Sequence, residues 1–137
     1  MVNSQSRDKT QKDKPQTSGK ITSYQDLIVW QKANFVALEI YKLSKLGKKS
    51  FSDWEIWKQA LAAGFSVPAN IVEGFHSHRG KSYASHLEIA RGSAGETDYW
   101  LYVLVATKQI DEKIGGQLRA ELQQIIAMLT ALIAKLR

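Results

Sequence analysis

From Leu27 onward, apolar residues recur three and four positions apart, the repeat of one face of an α-helix. Leu27, Trp30, Ala33, Ala37, Ile40 and Tyr41 form a first inward stripe, widened by Val36 and Leu43. Ser23 precedes Asp26 by three residues, the spacing of a capping box with Asp in place of the usual Glu. The first helix is therefore predicted to start at Ser23 and to end at Gly47. A second helix is predicted from a cap at Ser52, with Asp53 and Glu55 favourable in its first turn. It carries Ala60, Leu61, Ala63, Phe65, Val67, Ile71 and Val72 inward and stops at Gly74. A third, from about Ser82 to Gln109, has a core face of Tyr83, Leu87, Ala90, Ala94, Leu101 and Leu104, broadened by Asp98, Tyr99, Trp100 and Tyr102. After a turn around Asp111–Gly116, a fourth repeats Leu118, Leu122, Ile125, Leu129, Leu132 and Leu136 in steps of four and three, an a/d seam. Four such helices with short connections predict an all-α, up-down four-helix bundle over residues 23–137.

Two stretches break the apolar text. In Ser66-Val-Pro-Ala-Asn-Ile-Val-Glu-Gly74, Pro68 falls inside the helical stripe, where it costs about 3 kcal/mol. Gly64, four residues back, leaves room for the proline ring, so a kinked but continuous helix is expected. Ser66, Asn70 and Glu73 share one face at i, i+4 and i+7. In Arg91-Gly-Ser-Ala-Gly-Glu96, Gly92 and Gly95 sit mid-helix at a cost of up to about 1 kcal/mol each. Such glycines usually serve close backbone approach. The two stretches are expected to face each other, with Ser66, Asn70 and Glu73 meeting Arg91, Ser93 and Glu96. These six residues read as a structural polar pin that fixes helix register, because an unpaired buried polar group costs about 1–3 kcal/mol. A ligand or partner site is the alternative.

The fourth helix carries more apolar residues than one face needs: Ile126, Met128 and Ile133 join the seam. That surplus predicts a second buried face and hence a subunit interface.

Charge adds a partner class. The 137 residues hold 19 Lys and Arg against 13 Asp and Glu, a net charge of +6, which favours anionic partners. Residues 1–23 and residues 24–137 each carry +3 of it. The first 22 residues are rich in Ser, Gln, Lys and Thr, so they are expected to form a disordered basic tail. Its role is either to solubilise or to touch phosphates. Lys42, Lys45, Lys48 and Lys49 crowd the end of the first helix and the following turn. They complement the helix dipole or, together with Arg79 and Lys81 of the loop before the third helix, contact nucleic-acid phosphates. Trp54 and Trp57, three apart, read as core or interface, with base stacking as the alternative.

Other chemistry is thinly represented. The chain has no cysteine, hence no disulfide framework or thiolate metal site. Glu73-x-x-His76 has the spacing of di-iron bundles, but no second Glu-x-x-His pair accompanies it, and His76 is expected beyond the Gly74 stop. No catalytic constellation is present, so neither an enzyme nor a cofactor or metal is expected. With no apolar leader and no membrane-length apolar run, a cytoplasmic protein is expected.

Tyr24-Gln-Asp-Leu-Ile-Val-Trp-Gln-Lys-Ala33, Gln59, Ser66-Val-Pro68, Asn70-Ile-Val-Glu-Gly74 and Ile89-Ala-Arg-Gly-Ser93 with Glu96, taken in order, give the chain a family resemblance. It resembles the small bundle proteins encoded within bacterial 23S ribosomal RNA intervening sequences. That family also includes relatives of the accessory variability protein of diversity-generating retroelements. The resemblance implies a left-handed antiparallel four-helix bundle, often a ring-shaped homopentamer, with a basic surface suited to RNA or DNA. In a retroelement setting the protein partner would be a reverse transcriptase. One feature departs from the family: two arginines often follow the position of Gln59, and here Leu61 and Ala62 stand there. Two functions follow from the sequence. One is a non-enzymatic nucleic-acid-binding accessory protein of low sequence specificity. The other is a protein-interaction scaffold whose charge only keeps it soluble.

Overall fold

A computed structural model describes residues 20–77 and 80–137. Among them the elements are a 3-10 turn at Tyr24–Asp26 and four α-helices, with no strand. The helices are α1 (Ile28–Ser44), α2 (Phe51–His76), α3 (Gly80–Ala106) and α4 (Glu112–Leu136). Each packs on its sequence neighbours, and α4 closes against α1. Paired contacts fix the directions. Ser66 meets Ser93 and Trp57 meets Gln109 across α2 and α3. Asp98 meets Arg119 and Glu88 meets Arg137 across α3 and α4. Residue numbers rise on one helix as they fall on the next, so neighbours are antiparallel and the bundle is up-down. The expected tail lies outside the described residues up to position 19, as do His78 and Arg79.

Local signals were read correctly in kind and shifted in place. The capping box at Ser23 is present: Asp26 Oδ2 accepts from the Ser23 N–H at 3.0 Å. It caps the 3-10 turn, however, and Leu27 is extended before α1 begins at Ile28. The α2 cap is Ser50 rather than Ser52; its Oγ accepts from the Asp53 N–H at 3.1 Å. Gly47, at φ +69°, turns the chain between the two helices. Asp111 caps α4 through the Lys113 and Ile114 N–H groups, so Gly115 and Gly116 lie inside that helix and not in a turn.

The core runs the length of the bundle. Val29, Val36, Ile40, Trp57, Val67, Ile71, Leu87, Leu101, Leu104, Leu122, Ile125 and Leu129 are all buried. Tyr41, expected inside, is 45% exposed, and Val29 takes the inward position instead. On α4 the stripe passes from Leu129 to Ile133, because a straight helix follows 3.6 residues per turn rather than a strict heptad. The apolar surplus of α4 is also absorbed locally. Ile126, Met128, Leu132 and Leu136 pack half-buried against the same core, so they do not form a separate outward face. The large exposed apolar residues stand mainly on the other helices, among them Phe35, Leu38, Phe51, Ile89, Tyr99 and Tyr102.

α2 runs unbroken through Pro68. Gly64 gives α1 room at this level, since a Cβ there would lie 3.4 Å from Ile40 Cδ1. Gly74 does not stop the helix, which continues to His76. It is a contact point instead. A Cβ at Gly74 would stand 2.9 Å from His86 Cβ and 3.0 Å from Tyr83 Cδ1, so α3 lies directly on its backbone. Gly92 and Gly95 show the reverse: nothing lies within 4 Å of a Cβ at either, and the expected close approach there does not occur.

Candidate functional site

The six residues of the expected pin divide in two. Ser66 Oγ and Ser93 Oγ are 2.8 Å apart across the α2–α3 seam. Asn70 Nδ2 donates to Ser66 O at 2.9 Å and to Ser66 Oγ at 3.0 Å. These three form a small, half-buried, internally bonded cluster. The other three look elsewhere. Glu73 is exposed, with His86 Nε2 3.7 Å away. Arg91 donates to Thr130 of α4, and Glu96 accepts from Trp100 on its own helix. Serine and asparagine side chains are short, so they bond where the backbones meet. The longer Glu and Arg side chains reach around the seam to other partners. Below the cluster, Thr97 is fully buried and donates to Ser93 O at 2.7 Å, a residue the apolar pattern passed over. These bonds tie α2 to α3 at the level of Ser66 and Ser93.

Two side chains near the seams are electrostatically shifted. Burial between α2 and α3 holds the Tyr83 phenol above its ordinary value. On the α3–α4 side, Arg119 donates two hydrogen bonds to Asp98, at 2.8 and 3.2 Å. That hydrogen bonding raises the guanidinium above its ordinary range. Among the described residues no group of three or more His, Cys, Asp or Glu side chains stands close enough to hold a metal ion. His76 lies within α2, against the Tyr24 ring at 5.9 Å.

The basic candidates fall at opposite ends of the bundle. Lys42, Lys45, Lys48 and Lys49 lie where α1 gives way to α2, whereas Lys81 opens α3 at the far end of α2. The 26 residues of α2 span about 39 Å, so the two groups cannot share one phosphate contact. Arg79 falls outside the described residues. Lys42 is paired with Glu39 at 3.2 Å. Lys45, Lys48 and Lys49 make no ion pair among the described residues. Lys49 donates to Leu46 O at 2.7 Å, with its ammonium 5.0 Å from the Trp57 ring centroid.

The fold adds a residue that the sequence alone did not indicate. Trp57 is buried, and its indole N–H donates to Gln109 Oε1 at 2.8 Å. This bond draws the α3–α4 connection against the second turn of α2, where the Lys49 ammonium also lies over the Trp57 ring. Lys108 precedes Gln109, is exposed and unpaired, and has φ +64°. Lysine in that left-handed conformation is uncommon, glycine being the usual occupant after a helix end. The sequence places Lys108 inside a third helix running to Gln109; the helix ends instead at Ala106, so Lys108 lies in the connection before α4. Lys45, Lys48, Lys49 and Lys108, none ion-paired among the described residues, thus lie at the same end of the bundle.

The family profile described as "23S rRNA-intervening sequence protein" matches residues 25–131. No curated protein matches the chain. A solved structure similar to this fold is that of a protein of unknown function from the S23 ribosomal protein family of Bacteroides thetaiotaomicron. It is 28% identical, superposes with a TM-score of 0.71, and the match covers 78% of this chain and 96% of that one. No helix among the described residues is long and apolar enough to cross a membrane. The profile covers the 3-10 turn, α1, α2, α3 and most of α4, the same span that carries the Ser66–Asn70–Ser93 cluster and the lysine-bearing end, and the chain belongs to the 23S rRNA-intervening sequence protein family.

Proposed function

We propose that the chain is a non-enzymatic nucleic-acid-binding accessory protein that holds RNA or DNA by its phosphates with little sequence preference. The observation that carries this reading is the placement of Lys45, Lys48, Lys49 and Lys108, none ion-paired among the described residues, where α1 gives way to α2 and α3 to α4 at one end of the bundle. Cations left unpaired on one surface attract a polyanion, and their counterions are released when it binds. The net charge of +6 and family membership support the same reading. The absence of a basic pair after Gln59 shifts the expected contact away from the middle of α2, where Leu61 is half-buried, towards the bundle end. The protein acts in the cytoplasm as a homo-oligomer, the pentamer that the resemblance implies. Exposed Phe35, Leu38, Phe65, Ile89, Tyr99 and Tyr102 supply apolar surface for self-association. Copies of the lysine end in one ring would make weak contacts act together. In a retroelement context a reverse transcriptase is the protein partner.

Fluorescence anisotropy of a labelled structured RNA, titrated with the full chain at low and at physiological salt, tests the reading. Binding that weakens steeply with salt is expected. Absence of binding at low salt would overturn it and leave the scaffold reading, in which exposed aromatics recruit a protein.

A further inference from the structure

We infer that the lysine-bearing end takes single-stranded rather than duplex nucleic acid, with Phe51 and Trp54 as the platform for unstacked bases. This rests on the nucleic-acid reading above and specifies the form of nucleic acid it applies to.

Phe51 is 81% exposed, more than any other large apolar side chain among the described residues. It is the first residue of α2, next to the Ser50 cap, and it follows Lys48 and Lys49 by three and two positions. Nothing local calls for an aromatic there. The cap is the Ser50 hydroxyl, and the core at this level is Trp57. Trp54 is three residues along the same helix and 42% exposed. Side chains at that spacing are neighbours, with Cβ atoms about 5–6 Å apart. Across the turn, Tyr41 on the last turn of α1 is 45% exposed, with the Lys45 ammonium 5.1 Å from its ring centroid. Aromatic faces and unpaired cations therefore alternate around one turn.

That alternation suits one form of nucleic acid. In a duplex the bases stack on one another, so their faces are closed to an aromatic side chain. A single strand offers base faces as well, and stacking on aromatic side chains tolerates any base. The lysines engage the phosphates while the neighbouring rings take the bases. The sequence pair Trp54 and Trp57 does not make this platform, because Trp57 is 2% exposed and its indole N–H is bonded to Gln109. The platform is instead Phe51 with Trp54.

The test compares a labelled oligouridylate with an RNA duplex of the same length, titrated with the full chain and with Phe51→Ala and Trp54→Ala at two salt concentrations. Both side chains are exposed enough for the variants to fold, which circular dichroism checks. The expected result is tighter binding of the single strand and an affinity for it that falls about ten-fold in Phe51→Ala. The salt slope should be unchanged, because no phosphate contact is lost. Duplex binding should be unaffected. Equal binding of strand and duplex, with Phe51→Ala indifferent, would overturn this inference while leaving nucleic-acid binding intact. No binding of either RNA would overturn both. Leu46, 66% exposed, and Phe51 amid lysines would also suit an anionic membrane. Phe51-dependent binding to phosphatidylserine vesicles without RNA binding would therefore overturn the inference in favour of a lipid surface.

Discussion

Along the seam between α2 and α3, Gly74 has His86 and Tyr83 directly against its backbone, and Ser66, Asn70 and Ser93 bond one another. At the end of the bundle, Lys45, Lys48, Lys49 and Lys108 make no ion pair among the described residues, and Phe51 stands in solvent. At the seam, polar groups bond one another and space is filled. At the end, charges and rings are left open. A closed network stabilises the fold and binds nothing further, whereas an open one adds little to stability and is available to a partner. The two regions should therefore respond oppositely to mutation.

The largest effect is expected at the seam. Gly74→Ala puts a methyl where His86 Cβ and the Tyr83 carbonyl already stand, so the helices must part. Overpacking of this kind costs about 1–3 kcal/mol, and here the upper part of that range is expected in urea denaturation. The RNA affinity of the folded fraction should not change. A Gly74→Ala protein of unaltered stability would break the comparison.

At the lysine end the order reverses. Replacing Lys45, Lys48, Lys49 and Lys108 together with Gln should leave the denaturation midpoint nearly unchanged. It should weaken single-strand RNA binding more than ten-fold and flatten the log–log salt slope by about 3, close to 0.7 per lost phosphate contact. An unaltered slope would mean that these side chains do not touch phosphate.

A smaller effect sharpens the contrast between glycines. Gly92→Ala meets open space within an α-helix, so it should stabilise by about 0.5–1 kcal/mol. Loss of stability, or loss of self-association measured by sedimentation, would show that a neighbouring copy covers Gly92.

The smallest concerns pH. The Tyr83 phenol is raised by burial, so the folded state holds its proton more tightly than the unfolded chain. Its contribution is complete below about pH 10 and declines as pH rises through the folded-state value. Tyr83→Phe should lose less stability than the wild type between neutral and strongly alkaline pH. Parallel losses would place the alkaline sensitivity elsewhere.

How much of this was legible varies by residue. Helical spacing located all four helices, and Asp53 falls in the first turn of α2 as its sequence context indicates, because such effects act within one or two turns. Ser50 and Ser52 are alike in sequence, both serines followed by acids within the reach of a cap. Gly74 looked like a stop because glycine after an apolar run usually is one, and only the position of α3 makes it a contact. Lys81 was grouped with Lys48 by charge alone, and the length of α2 separates them.

The sequence by itself determined the helices, their order, the bundle and the family, because apolar periodicity and short-range caps act within a single segment. The tertiary structure decided which glycine is crowded and which is open, and which polar residues close on one another. It also set Lys49 and Gln109 against one buried ring, that of Trp57. Those outcomes depend on which face of one helix meets which face of another. That meeting is set by the summed packing of four helices and by no single segment of the chain.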